Sequence, residues 1–344
     1  MALFLEAAGE RNRLETRDYV LLISGTMNPP HRGHVLIGLH AAEALRGKGH
    51  TVRALCWTPV HDNYLCNKVS TKVSNDSLGK TTTADTICFP MSERCAMLRN
   101  LLDHEARSKE LRSICHVIDY EHQYGDDLLE ESPGYWAPKL PDGYLKTVPT
   151  SGLIQHFAAN PEHCCRGARL CIVFGCDNLA GMATWNNPEN LSRSADMIFV
   201  GRGTSCVTFS RDPIALLSGF RNFEVDVSVA VKYEDKTLFG DSEGSFINTQ
   251  STGNGALFFL PALDGICEEL SSTKIRTSIA VCLNTLADHG LADSARKILG
   301  NIHEAPTKIG NIRKIGEANG QVVVPCKRSL ESLDSSTAAK AQRR

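Results

Sequence analysis

The sequence predicts an α/β fold, in which a doubly wound parallel sheet carries helices on both faces and a C-terminal helical portion follows. Short apolar segments alternate with segments of helical periodicity, which is typical of repeated β-α-β units. The strand segments are near-continuous apolar runs, as expected for strands buried on both faces. At 344 residues and 42% hydrophobic content, the chain is long enough to bury such a core.

Composition and charge exclude several classes of function. The net charge of −2 and the lack of a basic arm argue against a nucleic-acid partner. No apolar run reaches the roughly 18 residues that span a bilayer, and the N-terminal segment is too polar for a secretory signal. The 13 cysteines are scattered without any C-x-x-C pair, which favours reduced thiols in an intracellular compartment, either cytoplasm or nucleus. A homo-oligomer is compatible with these features.

The predicted organisation is one large domain with polar ends. Residues 1–18 form a lead-in, residues 19–325 a single domain, and residues 326–344 a polar tail that we expect to be disordered. Two loop insertions interrupt the domain, near residues 60–86 and 120–146. The first is rich in Ser, Thr, Asn and Lys, and the second contains several Pro and Gly breakers.

The first half of the domain contains a predicted β-α-β unit. It comprises a strand over 19–24, a helix over about 33–47 that is ended by glycines, and a strand over 51–57. This spacing predicts a parallel pair joined by a right-handed crossover. A helix over about 91–109, with Ser92 as its N-cap, and a strand over 113–119 follow.

The second half continues the alternation. The predicted elements are a helix at about 150–160, strands at 169–174, 195–201, 223–231 and 256–260, helical turns within 178–193, and helices at about 272–286 and 291–299.

The most informative segment joins the first strand to the first helix. Residues 25–34 read Gly-Thr-Met-Asn-Pro-Pro-His-Arg-Gly-His. Histidines 31 and 34 are three residues apart, so both rings lie on one face at the start of the helix. A helix N-terminus offers backbone N–H groups and a partial positive charge. The pattern therefore predicts a site for a polyphosphate.

Two later segments stand at equivalent positions, where ligands of open parallel sheets bind. Gly175-Cys176-Asp177 ends a strand, and Trp185 follows eight residues after the aspartate. Residues 271–276, Ser-Ser-Thr-Lys-Ile-Arg, begin a helix pattern. Their hydroxyl groups can cap that helix or donate to phosphate oxygens, and Arg276 can pair with a phosphate.

Taken together, these three motifs resemble those of the nicotinamide/nicotinate mononucleotide adenylyltransferases, within the nucleotidyltransferase superfamily marked by H-x-G-H. The first motif of the family is Gly-Ser-Phe-Asn-Pro followed by H-x-G-H. The second is Gly-Ala-Asp, followed by a later Trp and by a strand that ends in a small residue and Arg. The third is Ile-Ser-Ser-Thr-x-x-Arg. The chain carries each motif in order between residues 19 and 286, with Gly201-Arg202 ending the middle one. The resemblance implies a Rossmann-like form of the doubly wound fold.

Weaker matches and departures accompany these motifs. Arg94 resembles an arginine of the family's next helix, Thr147 and Thr150 resemble its Thr-x-x-Thr segment, and Lys68 lies in the loop after the second strand. Thr26-Met27 replaces Ser-Phe, and Cys176 replaces Ala. The aromatic residue that recognises the acceptor has four candidates, namely Tyr124, Tyr135, Trp136 and Tyr144.

The resemblance implies adenylyl transfer from ATP to a pyridine mononucleotide, which yields NAD or deamido-NAD and pyrophosphate. It implies that His34 and His31 are the catalytic pair. It implies ATP contacts from Gly25, Thr26, Met27, Gly33, Gly175, Asp177, Ser272, Thr273 and Arg276. It implies mononucleotide contacts from Asn28, Lys68, Arg94, Thr147, Thr150, Trp185 and Arg202. Mg²⁺ would be carried by phosphate oxygens and water, without a protein cage.

Other interpretations of the sequence remain open. A related transferase would use another acceptor, such as phosphopantetheine, or CTP as donor, because the superfamily shares H-x-G-H. A non-catalytic nucleotide-binding or chaperone-like relative would keep the fold without the reaction. A dehydrogenase is disfavoured, because no G-x-G-x-x-G follows the first strand. The preference between the amide and the acid mononucleotide is not decided by the sequence.

Overall fold

The strands of the protein were located in a computed structural model. It describes residues 16–62, 64–65, 68, 87–124, 150–160, 167–182, 191–201, 206–209, 220–225, 230–233, 236–239, 255–262, 271–288 and 303–304. The strands are β1 (Asp18–Gly25), β2 (Thr51–Pro59), β3 (Ile87–Cys88), β4 (Cys115–Val117), β5 (Arg169–Gly175), β6 (Asp196–Val200), β7 (Cys206–Phe209), β8 (Phe220–Val225), β9 (Ala230–Tyr233), β10 (Lys236–Phe239), β11 (Gly255–Leu260) and β12 (His303–Glu304).

Seven of these strands form one sheet in the order β4-β2-β1-β5-β6-β11-β8, and every neighbouring pair in it is parallel. The chain first moves outward from β1 to β2 and β4, and then returns to the other side of β1 at β5. The strand order therefore reverses between β1 and β5. In open parallel sheets, the crevice at the carboxyl ends of two such strands is where ligands bind.

Helices cover both faces of this sheet, which confirms the predicted fold class. They are α1 (Arg32–Gly47), α2 (Met91–Glu105), α3 (Lys109–Ser113), α4 (Thr150–Ala159), α5 (Leu179–Met182), α6 (Leu191–Ser194) and α7 (Ser272–Asp288). Alternate side chains of β1 enter two separate apolar clusters, because successive residues of a strand point to opposite faces. Leu21 packs in the cluster that contains α1 and α2, and Leu22 packs in the cluster that contains α4.

The close approach of α1 to the sheet depends on a glycine. A Cβ atom added at Gly38 would lie 2.7 Å from a ring carbon of Trp57 and 3.0 Å from the side chain of Ile23. Both neighbours are buried in the core. Glycine at this position therefore lets α1 pack directly over the β1-β2 pair, and so helps to fix the helix N-terminus that carries the histidines.

The predicted helix over 91–109 is shorter in the structure, and a different residue occupies its N-cap position. Pro90 stands at the N-cap position of α2 without a capping side chain, so the prediction of Ser92 as N-cap was wrong. The helix ends at Glu105, and α3 starts separately where the Ser108 hydroxyl accepts a hydrogen bond from the Leu111 amide at 3.0 Å. A serine cap that could begin a new helix explains the break.

Two predicted loops contain helical residues. Residues 120–124 are helical, because amides of His122 and Gln123 donate to the carbonyl oxygen of Asp119. In the first insertion, residues 62, 64, 65 and 68 are helical, and Leu65 is buried against Cys88. The rest of both insertions, residues 1–15, the predicted helix over 291–299 and the tail lie outside the described residues.

The segment predicted as one strand over 223–231 contributes to two sheets. β8 is the edge strand of the large sheet, whereas β9 pairs with β7 and β10 in a three-stranded sheet. β3 and β12 form a third, antiparallel pair. The sequence did not predict either smaller sheet, because their strands have only two to four residues. No helix in these described ranges is long and apolar enough to cross a membrane.

The amino ends of the strands are joined by a buried aspartate. Asp196, which is fully buried, accepts hydrogen bonds from the Tyr19 hydroxyl at 2.8 Å, Arg169 Nε at 3.0 Å and the Ala256 amide at 2.9 Å. These partners belong to β1, β5 and β11. The network therefore stabilises the sheet at the amino ends of its strands, and the crevice lies at their carboxyl ends.

Candidate functional site

A cleft opens at the carboxyl ends of β1 and β5, where the strand order reverses. Its lining comes from the β1 end and α1, from the segment after β2, from the segment after β4 and from the β5 end. The lining residues are Ile23, Ser24, Gly25, Thr26, Met27, His34, Ile37, Val60, Tyr64, Lys68, Glu121, Val173, Phe174, Gly175, Asp177 and Asn178. The structure thus brings two of the three sequence motifs, at residues 25–34 and 175–177, to one cleft.

The two histidines cap the N-terminus of α1 reciprocally. His31 Nδ1 accepts a hydrogen bond from the Gly33 amide at 3.2 Å, and His34 Nδ1 accepts one from the His31 amide at 3.1 Å. The ring centroids are 3.8 Å apart. Because each Nδ1 atom accepts from the backbone, the proton of each neutral ring lies on Nε2. The capping geometry therefore makes both rings hydrogen-bond donors through Nε2.

The two rings differ in their access to the cleft. His34 lines the cleft, whereas His31 is 5% exposed and packs against the His34 ring. The main chain at His34 is fixed in turn, because its carbonyl oxygen accepts a hydrogen bond from the Trp57 indole at 2.9 Å. His34 is consequently the ring that a ligand in the cleft would meet first, and His31 supports it.

The loop between β1 and α1 is held by the side chain of Asn28. Its amide nitrogen donates to the Ile87 carbonyl oxygen at 2.8 Å, and its oxygen accepts from the Phe89 amide at 2.8 Å. Met27 adopts a left-handed conformation, with φ of 45°, which is uncommon for a residue with a side chain. The positive φ of this turn therefore falls on Met27 and not on Gly25.

Arg94 connects three segments around the cleft from a fully buried position. Its guanidinium donates to the carbonyl oxygens of Thr26 and Val60, both at 2.8 Å, and of Phe89 at 2.9 Å. It also forms an ion pair with Asp62, at 2.5 Å. Since the side chain has no exposed surface, these contacts give it a positioning role between β1, the segment after β2 and the start of α2. Its predicted mononucleotide contact remains a prediction.

The third motif is attached to the same loop through the start of α7. The Ser272 hydroxyl donates to the Pro29 carbonyl oxygen at 2.8 Å, and the Arg276 guanidinium donates to the Asn28 carbonyl oxygen. Arg276 also donates to the Thr273 hydroxyl at 3.3 Å. The first turn of α7 therefore lies against the loop that leads into α1, although 243 residues separate Pro29 from Ser272.

Charges of both signs face each other across the cleft. Desolvation lowers the pKa of Lys68, the positive charge of Arg276 lowers it further, and the carboxylate of Asp177 opposes both effects. Lys68 is therefore close enough to both groups for their charges to act on it. The predicted site residues that line the cleft are Gly25, Thr26, Met27, His34, Lys68, Gly175 and Asp177. Arg276 is close enough to Lys68 to lower its pKa.

The remaining predicted contacts are placed only in part. Gly33 is buried in the first turn of α1, where its amide donates to His31. Thr150 begins α4. Thr147, Trp185 and Arg202, like Tyr135, Trp136 and Tyr144, lie outside the described residues. Tyr124 is described and packs against Tyr120, with ring centroids 4.6 Å apart.

Two ionisable residues that line the cleft, Glu121 and Tyr64, were not predicted from the sequence. Glu121 is 3% exposed and its carboxylate accepts a hydrogen bond from the His61 amide at 2.8 Å. Burial raises its pKa to about 7, and the charge of Arg94 opposes part of this rise. Desolvation and Glu121 in turn raise the pKa of Tyr64. The spacing of Tyr64 and Lys68, four residues apart, was a usable signal that both lie on one face of a helical turn.

The donor set of the cleft suits a magnesium ion that arrives with a nucleotide. Among the described residues, no group of three or more His, Cys, Asp or Glu side chains could hold a metal. Two carboxyl groups line the cleft, those of Glu121 and Asp177, and that of Asp177 is the one whose charge acts on Lys68. Mg²⁺ in nucleotide sites is typically bound by one or two carboxylates together with substrate phosphates and water. Asp177 fits that pattern.

Comparison with known proteins gives structural likenesses only. No model of a known protein family matches the chain, and no curated protein sequence matches it. The chain is similar to Plasmodium falciparum nicotinic acid mononucleotide adenylyltransferase complexed with APC, at 12% identity and a TM-score of 0.40, over 80% of this chain and 98% of that one. The same enzyme complexed with NaAD gives 12% identity and a TM-score of 0.40, over 76% and 84%. At these values the likeness bears on neither activity nor substrate, and the fold class stands on the strand order of this chain itself.

Proposed function

We propose that this protein transfers the adenylyl group of ATP to nicotinamide mononucleotide or nicotinate mononucleotide. The products are NAD or deamido-NAD, and pyrophosphate. The observation that carries the proposal is the position of His34. It lies at the N-terminus of a long helix, in a cleft where the strand order reverses. Because His34 Nδ1 accepts a hydrogen bond from the His31 amide, Nε2 is the nitrogen that donates to a ligand.

The proposed reaction is a direct transfer. An oxygen of the mononucleotide 5′-phosphate forms a bond to the α-phosphorus of ATP, and the bond between that phosphorus and the oxygen bridging to the β-phosphate breaks. The attacking phosphate is already anionic, so no nucleophile of the protein is needed. Catalysis then consists of positioning and of stabilising charge on the phosphate oxygens.

Different side chains act on different phosphate groups of ATP. The Nε2–H group of His34 donates to an oxygen of the α-phosphate, and His31 holds its ring in place. Lys68 and Arg276 neutralise charge on the β- and γ-phosphates, and the hydroxyl groups of Ser272 and Thr273 donate hydrogen bonds to them. Mg²⁺, when bound with ATP at Asp177, supplies further neutralisation of the phosphate charge. The partial charge of the α1 N-terminus acts in the same direction.

The test is a coupled assay of the purified protein with ATP, Mg²⁺ and each mononucleotide. It follows pyrophosphate release and identifies the dinucleotide by mass. We expect both products in equal amounts. Pyrophosphate without a dinucleotide, or neither product, would contradict the proposal.

A transferase with a different acceptor is the second candidate. The histidine motif is common to the whole superfamily, so it does not identify the acceptor. The same assay with phosphopantetheine as acceptor, and with CTP in place of ATP, separates the two. A non-catalytic nucleotide-binding protein would bind ATP without releasing pyrophosphate with any acceptor. Binding measured by calorimetry alongside turnover distinguishes this third case.

A further inference from the structure

The end of the cleft farthest from Asp177 is formed by Glu121 and Tyr64. Glu121 follows β4, and in the sheet β4 is separated from β5 by β2 and β1. Neighbouring strands are about 4.8 Å apart, so three spacings place these two ends about 14 Å from each other. Tyr64 lines the cleft at the Glu121 end, and Lys68, four residues later, is affected by Asp177 and Arg276.

The two ends therefore differ in charge. At the α7 end the two positive charges of Lys68 and Arg276 outnumber the negative charge of Asp177, which suits a polyphosphate. Glu121 gives the opposite end a buried carboxyl group next to an aromatic ring. A polyphosphate would be repelled there, whereas a positively charged planar ring would be attracted by the carboxylate.

One oxygen of Glu121 is available to a ligand. Oε2 accepts the hydrogen bond from the His61 amide. Oε1 accepts none from any group in the part of the chain that the structure describes, although the residue is 97% buried, with 3% exposed. The neighbouring cation, Arg94, is already engaged by Asp62 and three carbonyl oxygens. Because Glu121 lines the cleft, a bound ligand that carries a donor or a positive charge can interact with Oε1.

We propose that Glu121 selects nicotinamide mononucleotide over nicotinate mononucleotide as the acceptor. This inference rests on the proposed function. In both compounds the pyridine ring carries a positive charge at its quaternary nitrogen. The amide substituent is neutral and donates hydrogen bonds, so that ring has a net charge of +1. The acid substituent is a carboxylate, so its ring has no net charge and brings a second anion towards Glu121.

The Glu121→Gln variant tests this directly. Glutamine keeps the shape of the side chain and an oxygen for the His61 amide, but removes the charge. Calorimetry at pH 8, above the raised pKa of Glu121, measures the Kd of each mononucleotide for the wild-type protein, for Glu121→Gln and for Glu110→Gln, which removes an exposed carboxylate from α3. We expect the wild type to bind the amide at least tenfold tighter than the acid. The ratio should fall to within about threefold in Glu121→Gln and stay unchanged in Glu110→Gln.

Two results would overturn the inference: equal affinities in the wild type, or a Glu121→Gln variant that keeps the wild-type ratio. If Glu121→Gln does not fold, Glu121→Asp replaces it. Aspartate keeps the charge but is shorter, so it should preserve the preference for the amide, and a reversal would contradict the proposal. Turnover with ATP distinguishes a failure of this inference from a failure of the proposed function. Dinucleotide formed equally well from both acceptors leaves the proposed function intact and refutes only the role of Glu121, whereas binding without turnover refutes only the function.

Discussion

The guanidinium of Arg276 donates a hydrogen bond to the backbone carbonyl oxygen of Asn28, across 248 residues of sequence. The contact joins the first turn of α7 to the loop that positions the two histidines. The Asn28 side chain extends the connection to Ile87 and Phe89 at the start of α2. The loop that enters the cleft is therefore held by two distant segments of the chain, and its geometry depends on these contacts.

Arg276→Ala should weaken ATP binding more than it slows the chemical step. It removes a positive charge beside Lys68 and the contact that fixes the loop carbonyl oxygen. We expect the KM for ATP to rise at least tenfold, with a smaller change in kcat, in steady-state assays. Lys274→Ala, which removes an exposed charge from the same turn, is the matched control and should leave the KM nearly unchanged. Equal effects of the two variants would refute a specific role for Arg276.

His34→Ala should reduce turnover by at least a thousandfold while the fold survives, because it removes a donor to the phosphate under attack. His31→Ala should reduce it less, since His31 acts by holding the ring of His34. Both are measured as kcat with saturating ATP and mononucleotide, and circular dichroism monitors the fold. His104→Ala, at an exposed position of α2, is the control. Activity of His34→Ala within tenfold of the wild type would rule out its proposed role.

Arg94→Ala should destabilise the protein by about 3 kcal/mol, because it leaves carbonyl oxygens without a donor and removes a large buried side chain. The ion pair adds little to this, since Asp62 is 35% exposed. The variant leaves Asp62 and three carbonyl oxygens without their donor. Denaturant unfolding measures the loss, and Arg99→Ala, from an exposed position of the same helix, should change the free energy of unfolding by less than about 0.5 kcal/mol. Similar stability of both variants would show that Arg94 does not hold these segments together.

Glu121 should make the stability of the protein depend on pH. Its pKa is raised from 4.5 to about 7 in the folded protein, so the folded state holds its proton longer than the unfolded state does. Its contribution is full below pH 4.5 and is lost as the pH rises through 7. Arg94 and Tyr64 are the other ionisable side chains that interact with it, and Asp62 is paired with Arg94.

The free energy of unfolding, relative to that of Glu121→Gln, should therefore fall by about 2 kcal/mol between pH 5 and pH 8. Guanidinium unfolding at the two pH values measures it. The same comparison with Glu110→Gln should show almost no pH dependence, because that carboxylate is exposed in both states. A constant difference between wild type and Glu121→Gln would show that the carboxyl group is not desolvated.

The parallel sheet and the histidine motif were accessible from the sequence because both depend on local patterns. Apolar runs and helical periodicity gave β1, α1 and β2 to within two residues of their observed ends. The spacing of His31 and His34 predicted that both rings lie at the start of α1. The carboxyl-end positions of residues 25 and 175 then followed from the α/β pattern, and the structure confirms that both line one cleft.

The contacts between distant segments could not be predicted in this way. A sequence does not show that Arg94 is buried against Asp62, or that Asn28 uses its side chain within the loop, since both depend on how the elements pack. The same holds for Glu121, which looks like an ordinary polar residue in a loop until β4 places it beside the cleft. The very short strands of the three-stranded sheet were missed because two to four residues carry too little periodicity.

The most direct test is whether the wild-type protein makes a dinucleotide. Purified protein is incubated with ATP labelled at the α-phosphorus, Mg²⁺ and, in separate reactions, nicotinamide mononucleotide or nicotinate mononucleotide, and the products are separated by chromatography. We expect the label to move into NAD or deamido-NAD in at least one reaction, with one pyrophosphate released for each molecule formed, and His34→Ala to abolish the transfer. If the label stays in ATP or appears only in AMP, the proposed adenylyl transfer is contradicted.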